Sequence, residues 1–116
     1  MDNKEKLDII VKSCEDKRGT DIKILDLKGM TSVADYFVVV SGGSSNQVNA
    51  IADEIEDKMS EAGIELDNQE GKNSLRWILL DYGDIIVHVF HNEEREYYNL
   101  ERLWSDEKVE NKEDNN

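Results

Sequence analysis

Four groups of residues have the types and spacing to do chemistry. Ser41-Gly42-Gly43-Ser44-Ser45 follows an apolar run and precedes a helical one. Backbone amides at such a junction can cradle a phosphate at a helix N-terminus. Neither G-x-x-x-x-G-K-[ST] nor G-x-G-x-x-G is present, and turn and cap chemistry explains these residues without a ligand. Asp81 and Asp84 flank Tyr82-Gly83, and Asp35 stands alone before another apolar run. Nucleotidyl transfer needs paired carboxylates on a strand to hold divalent metals, and no strand here offers D-x-D. His88 and His91 are the two histidines. Three residues apart on a strand, they point to opposite faces, which is wrong for a shared metal. Cys14 falls in a helical pattern with no histidine near to activate it, so it reads as core rather than nucleophile. G-x-S-x-G is absent. No catalytic group, metal or cofactor is expected, and binding is the chemistry that remains.

The framework around these residues follows from periodicity. Leu7, Ile10, Val11 and Cys14 recur at helical spacing over 3–18, with Gly19 expected at the C′ position. DIKILDL, 21–27, suits a strand; KGMTSVAD is a loop or short helical turn. YFVVVS, 36–41, is β-branched and reads as a buried central strand. Ser44 and Gln47 form an S-x-x-Q capping box for a helix over 44–62. Val48, Ile51, Ala52, Ile55 and Met59 make its apolar stripe, and Gly63 ends it. Asp53, Glu54, Glu56, Asp57 and Glu61 are expected as its solvated face. IELDN, 64–68, suits a short strand and QEGKNS a loop. Asn92 is placed to cap a last helix, NEEREYYNLERLW, with Glu93 and Glu94 favoured by its dipole. The expected fold class is α+β (mixed α/β), about five strands in a mixed sheet with helices packed mainly on one face.

The 116 residues fit one domain, expected over 1–105, followed by an acidic disordered tail, 106–116. There is no run of 18 apolar residues and no apolar stretch at the N-terminus to serve as a signal peptide. One cysteine excludes an internal disulfide framework. A cytoplasmic protein is expected. The net charge is −13, and −10 without the tail. Such a body has no cationic grip on a phosphate backbone and suits a basic partner, although acidity for solubility is an equally ordinary reading.

SLRWILLDYGDIIVHVF, 74–90, is two strands about a turn, apolar at almost every position. A turn at Tyr82-Gly83 sets Leu80 opposite Ile85 and Trp77 opposite His88. One face then carries Ile78, Leu80, Ile85, Val87 and Val89, matching a core under helices. The other carries Leu75, Trp77, Leu79, Asp81, Ile86, His88 and Phe90. A mixed set with a tryptophan suits the centre of an interface. Two coverings are open: the chain's own helices, including Tyr97, Tyr98, Leu100, Leu103 and Trp104, or another molecule. RNA is disfavoured, because Trp77 and Phe90 have few basic neighbours.

Four blocks carry a resemblance: ADYFVVVSGGSSNQVNAIADEIE (34–56), EG (70–71), WILLDYGDIIVHVF (77–90) and R-E-YYNLERLW (95–104). Together they resemble the ribosomal silencing factor family, also called the Iojap or YbeB-like family, over about residues 5–104. Gly43 and Asn46 depart from that pattern, which usually has Thr or Asn and a basic residue there. The resemblance implies a nucleotidyltransferase-like topology without the catalytic carboxylates. It implies binding to the free large ribosomal subunit through its protein number fourteen, a block on small-subunit joining, and a homodimer off the ribosome. On that reading Trp77, Leu79, Ile86, His88 and Phe90 pack on the ribosomal protein, with Asp81, Asp84 and Glu70 as rim acids. A nucleotide-binding enzyme using residues 42–45 and a purely self-associating module are the alternatives.

Overall fold

The computed structural model describes residues 2–98, with side chains through Arg95. Helix α1, Asn3–Asp16, starts at a capping box that the apolar periodicity does not signal. Asp2 Oδ1 accepts from the Glu5 amide at 2.9 Å, and Glu5 returns the bond at 3.1 Å. Strands β1 (Thr20–Asp26) and β2 (Tyr36–Gly42) precede helix α2, Ser45–Glu61. Then come β3 (Asn68–Glu70), β4 (Trp77–Asp81), β5 (Ile85–His91) and α3 (Asn92–Tyr98). The expected helix to Trp104 is thus described only to Tyr98. The side chains of Tyr97 and Tyr98, residues Leu100, Leu103 and Trp104, and the tail 106–116 lie outside the described residues.

The five strands form one mixed sheet in the order β1-β2-β5-β4-β3. β2 and β5 pair in parallel, joined through α2 and the two later strands; the other pairs are antiparallel. β5 is therefore the central strand and β2 its neighbour. The expected α+β class, five-stranded sheet and helix-covered face are what the structure has. The short strand sits two to four residues later than IELDN, because residues 64–66 are spent ending α2. There Gly63, at φ +81, donates to Ser60 O and Ile64 donates to Met59 O, both at 2.9 Å. This pair of bonds is the Schellman stop, with Ile64 packed on the core.

The main core lies between α1, α2 and one sheet face. Ile10 and Cys14 meet the α2 stripe of Val48, Ile51, Ala52, Ile55 and Met59 over Val38, Val40, Ile78, Leu80, Ile85, Val87 and Val89. All are fully buried, each large aliphatic side chain contributing about 1.5–3 kcal/mol of transfer free energy. Burial, with a smaller push from Glu15, raises the Cys14 thiol to about 12, so it is no nucleophile at neutral pH.

Gly19 corrects the expected reading of α1's end. Its φ is ordinary, and Arg18 takes the left-handed position instead, at φ 63. A Cβ at residue 19 would lie 2.6 Å from Val40 Cγ2, so glycine is required for space. The capping box at α2 is also half-formed. Ser44 Oγ accepts from the Gln47 amide at 3.1 Å, as expected. Gln47 Oε1 bonds the Gly43 amide rather than that of Ser44, at 2.6 Å, and its Nε2 donates to the carbonyls of Lys17 and Arg18. Gln47 thus ties the start of α2 to the end of α1.

Candidate docking face

Pairing lays three rows across the sheet face opposite α1 and α2. Trp77, Phe90 and Ser41 form one; Glu70, Leu79, His88, Val39 and Lys23 the next; Asn68, Asp81, Ile86, Phe37 and Leu25 the third. The hairpin register differs from expectation by two residues: Leu80 faces Val87, and Trp77 faces Phe90. The turn is Gly83-Asp84, not Tyr82-Gly83. Tyr82 closes the ladder by donating to Ile85 O at 2.9 Å, and Gly83 takes φ +87. A side-chain period of two means that this displacement leaves every residue on its expected face. Leu75 is the exception. At φ 57 it lies before β4 and packs against the helix-side core.

The eight residues singled out from sequence do not stand equally open. Phe90 is fully buried, His88 is 4% exposed and Ile86 7%. Trp77, Leu79 and Asp81 are half-buried; Asp84 and Glu70 are exposed. His88 and Phe90 are therefore covered in the free chain. They underlie Trp77, whose indole stacks on Phe90 with centroids 4.8 Å apart. Such a pair adds about 0.5–1.5 kcal/mol beyond its area. Trp77, Leu79 and Asp81 remain partly exposed on this face, and Asp84 stands exposed at the hairpin tip. Glu70 flanks Leu79 directly, as its partner across β3 and β4.

His88 sets the electrostatics of the layer below. Its Nδ1 accepts from Trp77 Nε1 at 3.0 Å, which assigns the hydrogen of the neutral ring to Nε2. Nε2 is buried with no hydrogen-bond partner among the described residues. The Phe37 ring meets the imidazole edge-on at 4.5 Å. Burial lowers the His88 pKa from 6.5 to about 4, so the ring is neutral at physiological pH. His91, on the other face parity, accepts from the Glu93 amide at 3.3 Å. It takes the capping place expected of Asn92, because β5 runs into α3 without a loop.

Several supporting residues have roles that local patterning does not reveal. Gly71, at φ +89, lies so close to β4 that a Cβ would be 2.0 Å from Trp77 O. Arg76 holds Glu93 at 2.8 Å and Glu94 at 3.1 Å, tying β4 to the first turn of α3. Arg95, 5% exposed, donates to Ser41 Oγ at 2.8 Å and to Asp21 O at 2.7 Å, anchoring α3 over β2 and β1. Lys72 bonds Asp53 at 2.9 Å and Glu56 at 3.1 Å. Those two acids belong to a loop anchor rather than to a purely solvated face. Each pairing joins residues at least 16 apart in the chain, beyond the reach of local patterns.

At Ser41–Ser45 the amides of Gly43, Gln47 and Val48 already have protein acceptors. Among the described residues, no three His, Cys, Asp or Glu are grouped to hold a metal ion. No described helix is long and apolar enough to cross a membrane.

A family profile described as "Ribosomal silencing factor during starvation" matches residues 1–116. A Bacillus subtilis protein named ribosomal silencing factor RsfS is 51% identical over 106 residues, covering 91% of this chain and 90% of that one. A crystal structure from Chromobacterium violaceum superposes with a TM-score of 0.88 at 37% identity, covering 90% of this chain and 88% of that one. A more distant mouse protein, named mitochondrial assembly of ribosomal large subunit protein 1, is 28% identical and covers 85% of this chain and 45% of its own length. With the whole chain matched and half its residues shared with a relative of equal span, this protein belongs to the ribosomal silencing factor family.

Proposed function

We propose that the protein docks on the free large ribosomal subunit through its protein number fourteen and blocks the small subunit by occupying its place. The observation that carries this reading is the half-buried Trp77–Leu79 pair on the sheet face away from α1 and α2. Glu70 flanks Leu79, Asp81 follows on the same face, and Asp84 stands exposed at the hairpin tip. A buried aromatic centre with a charged rim is how protein interfaces divide their energy. The acids suit a basic ribosomal protein, and a net charge of −13 opposes nearby RNA. Excluded volume dominates the block, since physiological salt screens charges beyond ~8 Å. No chemical step is required. If a homodimer uses the same face, dimer and subunit compete for it by mass action.

Trp77→Ala is expected to weaken co-pelleting with purified large subunits by about 2 kcal/mol or more, roughly thirtyfold. Its melt is measured in parallel, because the indole also supports His88. The double variant Glu70→Lys/Asp84→Lys changes only exposed side chains. It is expected to weaken pelleting while leaving the melt unchanged. Wild-type pelleting by a folded Trp77→Ala protein and by the double variant overturns the reading.

A further inference from the structure

The loop between β1 and β2 holds an apolar side chain in solvent from a fixed frame. Val33 is 64% exposed, the most exposed large hydrophobic residue among the described ones. A lone exposed valine on a mobile loop means little. This loop, however, is pinned at both ends and within. Leu27 donates to Asp35 O at 2.8 Å, and Met30 donates to Leu27 O at 2.9 Å. The Val33 amide bonds Thr31 Oγ1 at 3.1 Å. Leu27 and Ala34 are buried, and neither belongs to the helix-side core.

The loop is also joined to the hairpin tip. Asp84 O accepts from the amides of both Asp35, at 2.8 Å, and Tyr36, at 3.1 Å. Val33 thus stands two residues from a junction that carries Asp35 and Asp84. Asp81 lies three residues before Asp84, at the end of β4. The acidic border of the docking face and the apolar knob are parts of one continuous backbone frame.

Resting on the function proposed above, we infer that the docking surface continues past the hairpin tip onto residues 27–35, with Val33 as a second apolar anchor. Its partner is the same ribosomal protein, offering a shallow apolar pocket edged by Lys or Arg that meets Asp35 and Asp84. Charge complementarity and continuity with the Trp77 face favour this occupant over a second copy, which would set like charges together. Because these hydrogen bonds already tie the loop in the free chain, seating Val33 costs little conformational entropy.

The experiment is co-pelleting of Val33→Ala, Val33→Asp and Trp77→Ala full-length proteins with purified large subunits, beside thermal melts and sedimentation of the free proteins. Val33→Ala is expected to weaken pelleting about three- to tenfold and Val33→Asp more than about tenfold, both with wild-type melts. Wild-type pelleting by both Val33 variants while Trp77→Ala is lost removes the loop from the surface and leaves the docking reading standing. Wild-type pelleting by all three overturns that reading as well. A Val33 variant that changes only the free protein's oligomeric state assigns the loop to a second copy and overturns the inference.

Discussion

The indole of Trp77 and the imidazole of His88 share a hydrogen bond, and burial of the imidazole gives the face a pH dependence. The His88 pKa falls from 6.5 to about 4 on folding because burial penalises the charged ring. Between those values the unfolded chain binds more protons than the folded one, so stability rises with pH across this window. It is unaffected above about 6.5 and is lost progressively as pH falls toward 4. The full difference is roughly 3 kcal/mol. Asn in place of His88 keeps an acceptor near Nδ1 and removes the titration. Urea midpoints of wild type and His88→Asn are expected to converge as pH falls from about 7 to about 5, and a constant gap would refute the assignment. Strand alternation assigns the histidine to the correct face. Its burial is not legible there, since period-two patterning says nothing of what lies against a face.

Among the elements, the start of β4 packs directly against Gly71. The close approach to Trp77 O excludes any side chain, and φ +89 disfavours one independently. Gly71→Ala is expected to cost at least about 2 kcal/mol, combining overpacking with left-handed strain. Gly29 supplies the control. Its φ is +83, but nothing lies within 4 Å of where a Cβ would stand, so Gly29→Ala is expected to cost about 1 kcal/mol. Chemical denaturation of both variants separates the two causes, and equal losses would refute the steric one. The strands and helices themselves are readable from sequence to within a few residues, as with α2 against the expected 44–62. The hairpin register is not, because a tight turn moved by one residue shifts the ladder by two while every face is kept. Nor are the ties made by Gln47, Arg76 and Arg95, whose partners come from other elements.

For the whole molecule, under the proposed function, the net charge of −13 predicts salt-sensitive docking on a basic partner. Raising salt from about 50 to about 300 mM is expected to slow association with large subunits about tenfold. At saturating protein the block on subunit joining is expected to persist, because excluded volume is not screened. Light scattering of subunit mixtures checks both, and a block that vanishes with salt at full occupancy would refute the steric mechanism. Local periodicity, composition and contiguous blocks are enough to establish the fold class, the two faces of the hairpin and the family. How much of the second face stands open came only from the packing of the folded chain. Phe90 and His88 sink below Trp77 within the hairpin, and the loop bearing Val33 joins the hairpin tip from a distant part of the chain. Exposure depends on which distant neighbours arrive, and a one-dimensional pattern carries no record of them.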